Sequence, residues 1–347
     1  MTGHKLYKIL AVIIAMVLLL GCSKTKETKF INEQTGKEET IKIIRFDREL
    51  FAFKDGDLKT YLKDLQTKYP EMFASSLDDE KYLQMIERFV TDNYLLDAQN
   101  IVQKTYPDIS FLEKDLTSAF AKLKTQHKDT ELPRRFFTMI FGPAEFEYCL
   151  QNKNYTNGDY VTIALDIYSY PAIEKNPYYN QMPQYIIPTL NQRYIAPDFM
   201  RMYLKNVTYR NTQDVQMNPD CTLLDCIIDE GKYSYIISQI LPTYKDYEVL
   251  RYTQQQMDWC NENEKLIWGY IIQNQLLYEK DRSKYMSLTA EGPTSKPLGD
   301  SPSRVGHFIG YNIVKNFMDK ENISWDSLMN ITDSQLILKK SNYKPKK

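Results

Sequence analysis

The segment Leu223-Leu224-Asp225-Cys226-Ile227-Ile228-Asp229-Glu230-Gly231 carries the densest set of groups able to do chemistry, three carboxylates and a thiol within about two helical turns. At helical spacing Asp225 and Asp229 stand one turn apart, with Glu230 and Gly231 just behind them. Such a cluster could hold a cation or serve as general acid and base. It reads equally well as a core helix with a solvated acidic edge and a glycine that lets a second helix approach. The sharper reading puts Glu230 in a cleft. Imidazole partners are scarce, because the chain holds only His4, His127 and His307. Its cysteines are Cys22, Cys149, Cys221, Cys226 and Cys260. Cys221 and Cys226 form a C-x4-C pair with no second pair and no neighbouring histidine, which makes a poor metal site. Buried free thiols are the expected state of the last four cysteines, with one disulfide as the alternative.

The elements that must position these groups follow from composition and periodicity. With 347 residues, 43% of them hydrophobic and 26% charged, the chain can bury a sizeable core, which excludes disordered, collagen-like and coiled-coil classes. There are 12 glycines and no hinge rich in Gly, Ser or Pro in the middle, so one domain is expected. Residues 41–46 have strand composition, and Asp47 opens the next element. Residues 78–103 place Leu83, Ile86, Val90, Tyr94, Ala98 and Ile101 at three- and four-residue steps, an amphipathic helix, and Leu112 to Leu123 repeat the pattern. Residues 135–141 and 160–167, the second preceded by the turn Asn157-Gly158, read as paired strands. From Pro183 on, helical spacing dominates, over 184–194, 198–203, 223–241, 246–259, 262–278 and 303–320. Asp300 or Ser301 is a candidate cap of the last of these. Strands first and helices after make an α+β class: a small N-terminal mixed sheet with helices, then a mostly helical C-terminal half. Trp259, Trp268, Tyr270, Tyr278 and Tyr285 read as core and rim packing before they read as a sugar platform. The loop 291–299 could cover the cleft.

Lys5 and Lys8 precede an apolar run from Ile9 to Leu20, too short to span a hydrocarbon core of ~30 Å and therefore a signal h-region. It ends Leu19-Leu20-Gly21-Cys22, which resembles a bacterial lipobox. That resemblance implies cleavage after residue 21 and acylation of Cys22, each chain contributing ~0.8 kcal/mol per buried methylene. The expected organisation is a signal over 1–21, a lipidated tether over 22–40, one domain over 41–338 and a loose basic tail over 339–347. Removing Lys5 and Lys8 takes 44 basic residues to 42 against 45 acidic, a net charge of −3. No basic footprint exists for nucleic acid, so that partner is excluded. Ser23 rather than Asp after the cysteine suggests, by analogy with lipoprotein sorting, the outer membrane. The tether lacks an acidic stretch behind Cys22, which favours the periplasmic face.

"LLDCIIDEGKYSYI" is similar to a helix of zincin-like peptidases in which the Glu is the third zinc ligand, and "SPSRVGHFIGYNIVKNFM" resembles their closing segment. A zincin needs His-Glu-x-x-His, whose imidazoles at i and i+4 share one helix face. None of the three histidines lies in such a motif. In the window Ala196 to Tyr203, Met202 stands where the second His would be and Phe199 where the base would be. The order of the lipobox, "IIRFDRELF", "PQYIIPTL", "LLDCIIDEGK", "IWGYIIQNQLLYEKD" and "GPTSKPLGDSPSRVGHFIGYNIV" resembles the GldB gliding-motility lipoprotein family of Bacteroidota. Without two imidazoles or a base the zincin-like domain is expected to be non-catalytic, with no catalytic residue, no metal and no cofactor, and the GldB resemblance implies a cell-envelope lipoprotein of unknown biochemical activity. Asp198, Asp229, Glu230 and His307 would line its degenerate cleft. It also implies a membrane held through lipid and partners among envelope proteins of a motility or secretion complex. Alternatives are a metal-dependent peptidase or hydrolase with unorthodox ligands from Asp198, Glu230 and His307, and a lipoprotein that binds peptide or glycan. In the non-catalytic case Glu230 needs a compensating partner, with Arg201 or a backbone N–H as candidate.

Overall fold

The computed structural model describes residues 30–32, 37–128, 130, 132–142, 154–156, 159–209 and 220–346. Cys22, Cys149 and the turn Asn157-Gly158 lie outside them. The tether contributes an antiparallel pair, β1 (Phe30–Asn32) and β2 (Lys37–Glu39). The strand expected over 41–46 shortens to β3 (Ile43–Ile44), because α1 (Phe46–Leu50) begins two residues later with Asp47 in its first turn. Asp47 is fully buried and accepts from Arg45 Nε and Nη2, each at 2.8 Å. α2 (Leu58–Lys68) follows. The amphipathic stretch 78–103 is two helices, α3 (Glu80–Thr91) and α4 (Asn93–Thr105). Asp92 divides them: its backbone is extended and its carboxylate accepts from the N–H groups of Tyr94 and Leu95 at 2.8 and 3.0 Å, an N-cap. A 3.6-residue period runs through such a break unmarked. α5 (Ser110–Gln126) occupies the second stretch.

β4 (Arg135–Met139) and β6 (Tyr160–Ala164) do pair, and in parallel; β5 (Asn154–Thr156) runs antiparallel along the far side of β6. The sheet order is β3-β4-β6-β5, a mixed sheet. Phe136, Phe137, Val161 and Ile163 are buried, as parallel strands covered on both faces require.

The stretches 184–194 and 198–203 resolve into a 3-10 turn at Ile187–Thr189 and one helix, α6 (Gln192–Tyr203), capped by Asn191. Then come α7 (Leu223–Ile240), α8 (Asp246–Val249), α9 (Gln254–Glu262), α10 (Glu264–Gln273), α11 (Arg282–Thr289), α12 (Val305–Glu321), α13 (Trp325–Asn330) and α14 (Ser334–Ser341). Neither Asp300 nor Ser301 caps α12. The Ser301 hydroxyl donates to the Ser295 carbonyl at 3.1 Å, and the helix starts after Arg304, whose backbone is left-handed at φ 58°. The basic tail is not loose over its described part: residues 339–341 close α14, and Tyr343 is buried. Among the described residues no helix is long and apolar enough to cross a membrane.

α7 joins the two halves. Leu223, Leu224, Ile227 and Ile228 pack into a core with α12 and its neighbours, while Tyr233, Ile236, Ile237 and Ile240 pack into the core that covers the sheet. Glu230 sits at the changeover. The expected close approach at Gly231 is real and reciprocal. A Cβ on Gly231 would lie 2.5 Å from the Gly310 carbonyl oxygen, and one on Gly310 only 1.8 Å from that of Ile227.

Candidate functional site

α6 presents Asp198 and Arg201 three residues apart on one face, and Lys205 follows in the π-helical turn Leu204–Thr208. α7 supplies Glu230 and, one turn on, Ser234. Arg251 comes from the segment after α8, Glu291 from the segment after α11, and Arg304 and His307 from the start of α12.

Glu230 is buried, and Arg201 Nη1 donates to its Oε2 at 2.9 Å while the Lys205 ammonium holds Oε1. Arg201 Nη2 reaches the Ser234 hydroxyl and the Val249 carbonyl, both at 3.0 Å. Burial alone would raise the Glu230 pKa; Lys205 and then Arg201 outweigh it and hold the carboxyl well below the usual range. Arg201 was the expected partner, and Lys205 is a second one.

Asp198 is buried against Arg251, with Nε 3.0 Å from Oδ1. The Tyr168 hydroxyl donates to its other oxygen at 3.1 Å and accepts from Asn154 Nδ2 at 2.9 Å. Glu291 bridges Arg251 and Arg304 at 3.5 and 3.3 Å. Arg304 donates to the carbonyls of Leu250 and Arg251 at 3.2 and 2.7 Å and lies over the Tyr252 ring. Arg251 and Arg304 both have φ 58°, a left-handed conformation costing a non-glycine residue roughly 1–2 kcal/mol, which the contacts of their guanidinium groups offset. His307 is half-buried beside these charges. Removal from water lowers its pKa, Glu230 opposes, and Arg304, Arg201 and Lys205 lower it further, to about 4. Its imidazole is neutral at neutral pH.

Asp198, Glu230 and His307 are therefore brought to one network. Of the other carboxylates on α7, Asp225 forms a capping box with Thr222, accepting from its N–H at 3.0 Å, and Asp229 opposes, without reversing, the lowering of the Lys232 pKa by burial. Phe199 is not in the cluster: it is fully buried, stacked on Tyr203, and Met202 packs against the sheet-side core. The residues that face Glu230 from α6 and the turn after it are Arg201 and Lys205, four apart, a spacing visible in the sequence. Arg251, Glu291, Arg304 and Tyr168 were not foreseen, because only tertiary structure brings such distant positions together. The loop 291–299 is held to the network through Glu291. Trp259, Trp268 and Tyr270 pack against the α12 core and Tyr285 is buried in it, whereas Tyr278 is exposed.

Zinc does not fit these donors. It takes imidazole, thiolate or carboxylate groups in a tetrahedral set. Here each carboxylate already carries cations, and among the described residues no group of three His, Cys, Asp or Glu side chains could hold an ion. The arrangement can lock α6, α7, the segment after α8 and the start of α12 together through desolvated ion pairs. His307, with its lowered pKa, is a weak base at neutral pH.

Fold and site together define an α+β domain in which a buried ion-pair network ties a small mixed sheet to a helical half. The chain belongs to the family of gliding motility protein GldB, whose sequence model matches residues 26–345, nearly its whole length. No curated protein and no solved structure matches it.

Proposed function

We propose that this chain is a cell-envelope lipoprotein, held through acylated Cys22 in the outer membrane on its periplasmic face. Its domain is a non-catalytic, zincin-like binding or assembly module of a gliding-motility complex or the secretion machinery linked with it. Family membership supports the motility role, and the lipobox supports the anchor. One observation carries the non-catalytic reading. Two cations four residues apart, Arg201 near the end of α6 and Lys205 in the turn after it, neutralise Glu230, the carboxylate that the resemblance to zinc peptidases would make a metal ligand beside two imidazoles. Positive side chains thus stand in for a metal's charge, and the surviving carboxylate becomes structural.

A thermal melt of wild type and Glu230→Gln, each with chelator and with Zn²⁺, tests this reading. Neither melting temperature is expected to respond to the metal, and the variant should lose about 1–3 kcal/mol. A large zinc-dependent rise in the wild type, abolished in the variant, would establish the metal-dependent alternative by linkage. Anchoring is tested separately. Cys22→Ala should be released from sedimented membranes or blocked in maturation; a normally processed, membrane-bound variant removes the lipoprotein reading.

A further inference from the structure

Cys221 and Cys226 occupy defined positions around the start of α7. Thr222 is its N-cap, so Cys221 is the residue before the cap and Cys226 the fourth of the helix, the two positions whose side chains meet in a hydrophobic staple. Here the meeting side chains are thiols. Their Sγ atoms are 2.7 Å apart, closer than two unbonded sulfurs rest and beyond the ~2.05 Å of a disulfide. The surrounding turn is firmly held. Leu223 and Leu224 donate their N–H groups to the carbonyls of Glu279 and Leu277 at 3.1 and 3.0 Å, and Thr222 and Asp225 close the capping box. The Tyr285 hydroxyl donates to the Cys221 carbonyl at 3.1 Å and lies 3.7 Å from Cys226 Sγ. Cys221 is buried, whereas Cys226 is half-buried and open to attack by an outside reagent.

We propose that Cys221 and Cys226 are a modification site, an intrachain disulfide made by exchange with a protein or small-molecule disulfide, which staples the first turn of the helix that carries Glu230. The Cys226 thiolate attacks the oxidant R–S–S–R, forming a mixed disulfide and releasing one RS⁻. Cys221 then attacks Cys226 Sγ and releases the second. Two electrons pass from the cysteine pair to the oxidant, and the two thiol protons end on the departing R–SH molecules. Cys226 is suited to the first step: Cys221 lowers its pKa against burial, with Tyr285 and Arg282 adding, to about 7. Cys260, pushed up to about 12 chiefly by burial, is the inert contrast. An oxidising compartment follows from the proposed envelope location, whereas the sulfur geometry is independent of it.

The experiment uses the full chain, equilibrated in an oxidised and reduced glutathione buffer, alkylated with iodoacetamide and cleaved before aspartate without reduction. Cleavage at Asp220, Asp225 and Asp229 releases residues 220–224 and 225–228 as separate peptides unless a disulfide joins them. The linked product is expected to dominate, and reductant should lower the wild-type Tm by roughly 2–6 °C. Cys226→Ser should lose that response. Recovery of both peptides separately, each alkylated, overturns the proposal whatever the variant does and leaves the lipoprotein reading untouched.

Discussion

A carboxylate removed from water is tolerated only when its charge is met, and at Glu230 two cations meet it. Burial, with Arg304 and these two cations adding to it, keeps His307 neutral, which gives the site a pH signature with two windows. The folded-state pKa of His307 is about 4 against an ordinary 6.5, so the unfolded chain takes up the proton first as pH falls. Stability from this residue is complete above about 6.5 and drains away down to about 4, on the order of 1–3 kcal/mol. Glu230 has a depressed pKa, so its contribution is present above 4.5 and is lost as pH falls further. Urea unfolding at about pH 7, 5.5 and 4 should therefore show wild type losing more than His307→Asn across the upper window. Parallel curves for the two proteins would mean that His307 titrates as an ordinary histidine. At this scale the sequence was partly legible. Glu230, Asp198 and His307 could be singled out, and the need for a cation near Glu230 led to Arg201. Arg251 and Arg304 could not be reached that way. Each depends on a left-handed backbone and on partners that only the folded chain supplies, Asp198 and Glu291 for Arg251 and the carbonyls of Leu250 and Arg251 for Arg304.

Between elements, the contact that decides the helical half is the crossing of α7 and α12, where backbone meets backbone across Gly231 and Gly310. Interhelical distance is set by the side chains at the contact, so two facing glycines let the axes approach unusually closely. Gly310→Ala would drive a methyl group into the Ile227 carbonyl, a backbone atom that cannot swing aside. A loss of at least about 3 kcal/mol is expected, at or beyond the top of the usual overpacking range. Gly269 in α10 is the control, since a Cβ there meets nothing within 4 Å. Gly269→Ala should raise stability by about 0.5–1 kcal/mol through helix propensity. Guanidinium midpoints for the two variants should move in opposite directions; a tolerated Gly310→Ala would show that the helices are not seated on each other. Gly231 could be read from the sequence as a packing glycine, but its partner could not, because the pairing is tertiary. For the same reason the division of 78–103 at Asp92 escaped a reading by period alone, since only the cap distinguishes one helix from two.

Across the whole molecule, the order of strands and helices was enough to place the chain in the α+β class, because that class depends on patterns local to each segment. The C-terminus departs from the expected loose tail, because Lys339, Lys340, Lys344 and Lys346 look solvated in sequence while Ser341 and Tyr343 between them are buried. Glu264, itself buried in the first turn of α10, accepts from Asn312 Nδ2 at 3.1 Å, from the Tyr343 hydroxyl at 2.8 Å and from the Lys346 N–H at 3.0 Å. The Tyr343 ring also packs edge-on against Trp268, 5.2 Å between centroids. The last residues thus tie α10 and α12 to α14, and the basic residues are the outward face of an ordered strap. Removing residues 342–347 would expose the patch Tyr343 covers, at about 1.5–3 kcal/mol. It would also leave the Glu264 carboxylate with Asn312 alone of these three donors, at a further 1–3 kcal/mol or so. A combined loss on the order of 3–5 kcal/mol is expected in urea unfolding of the truncated chain. The two contributions separate in a second variant. Glu264→Gln in the truncated chain removes the undercompensated charge and should recover part of the second contribution, whereas in the full-length chain it weakens the bonds to Tyr343 and Lys346 and should destabilise. If truncation left the unfolding midpoint unchanged, the strap would carry no stability and Glu264 would have to be satisfied from elsewhere.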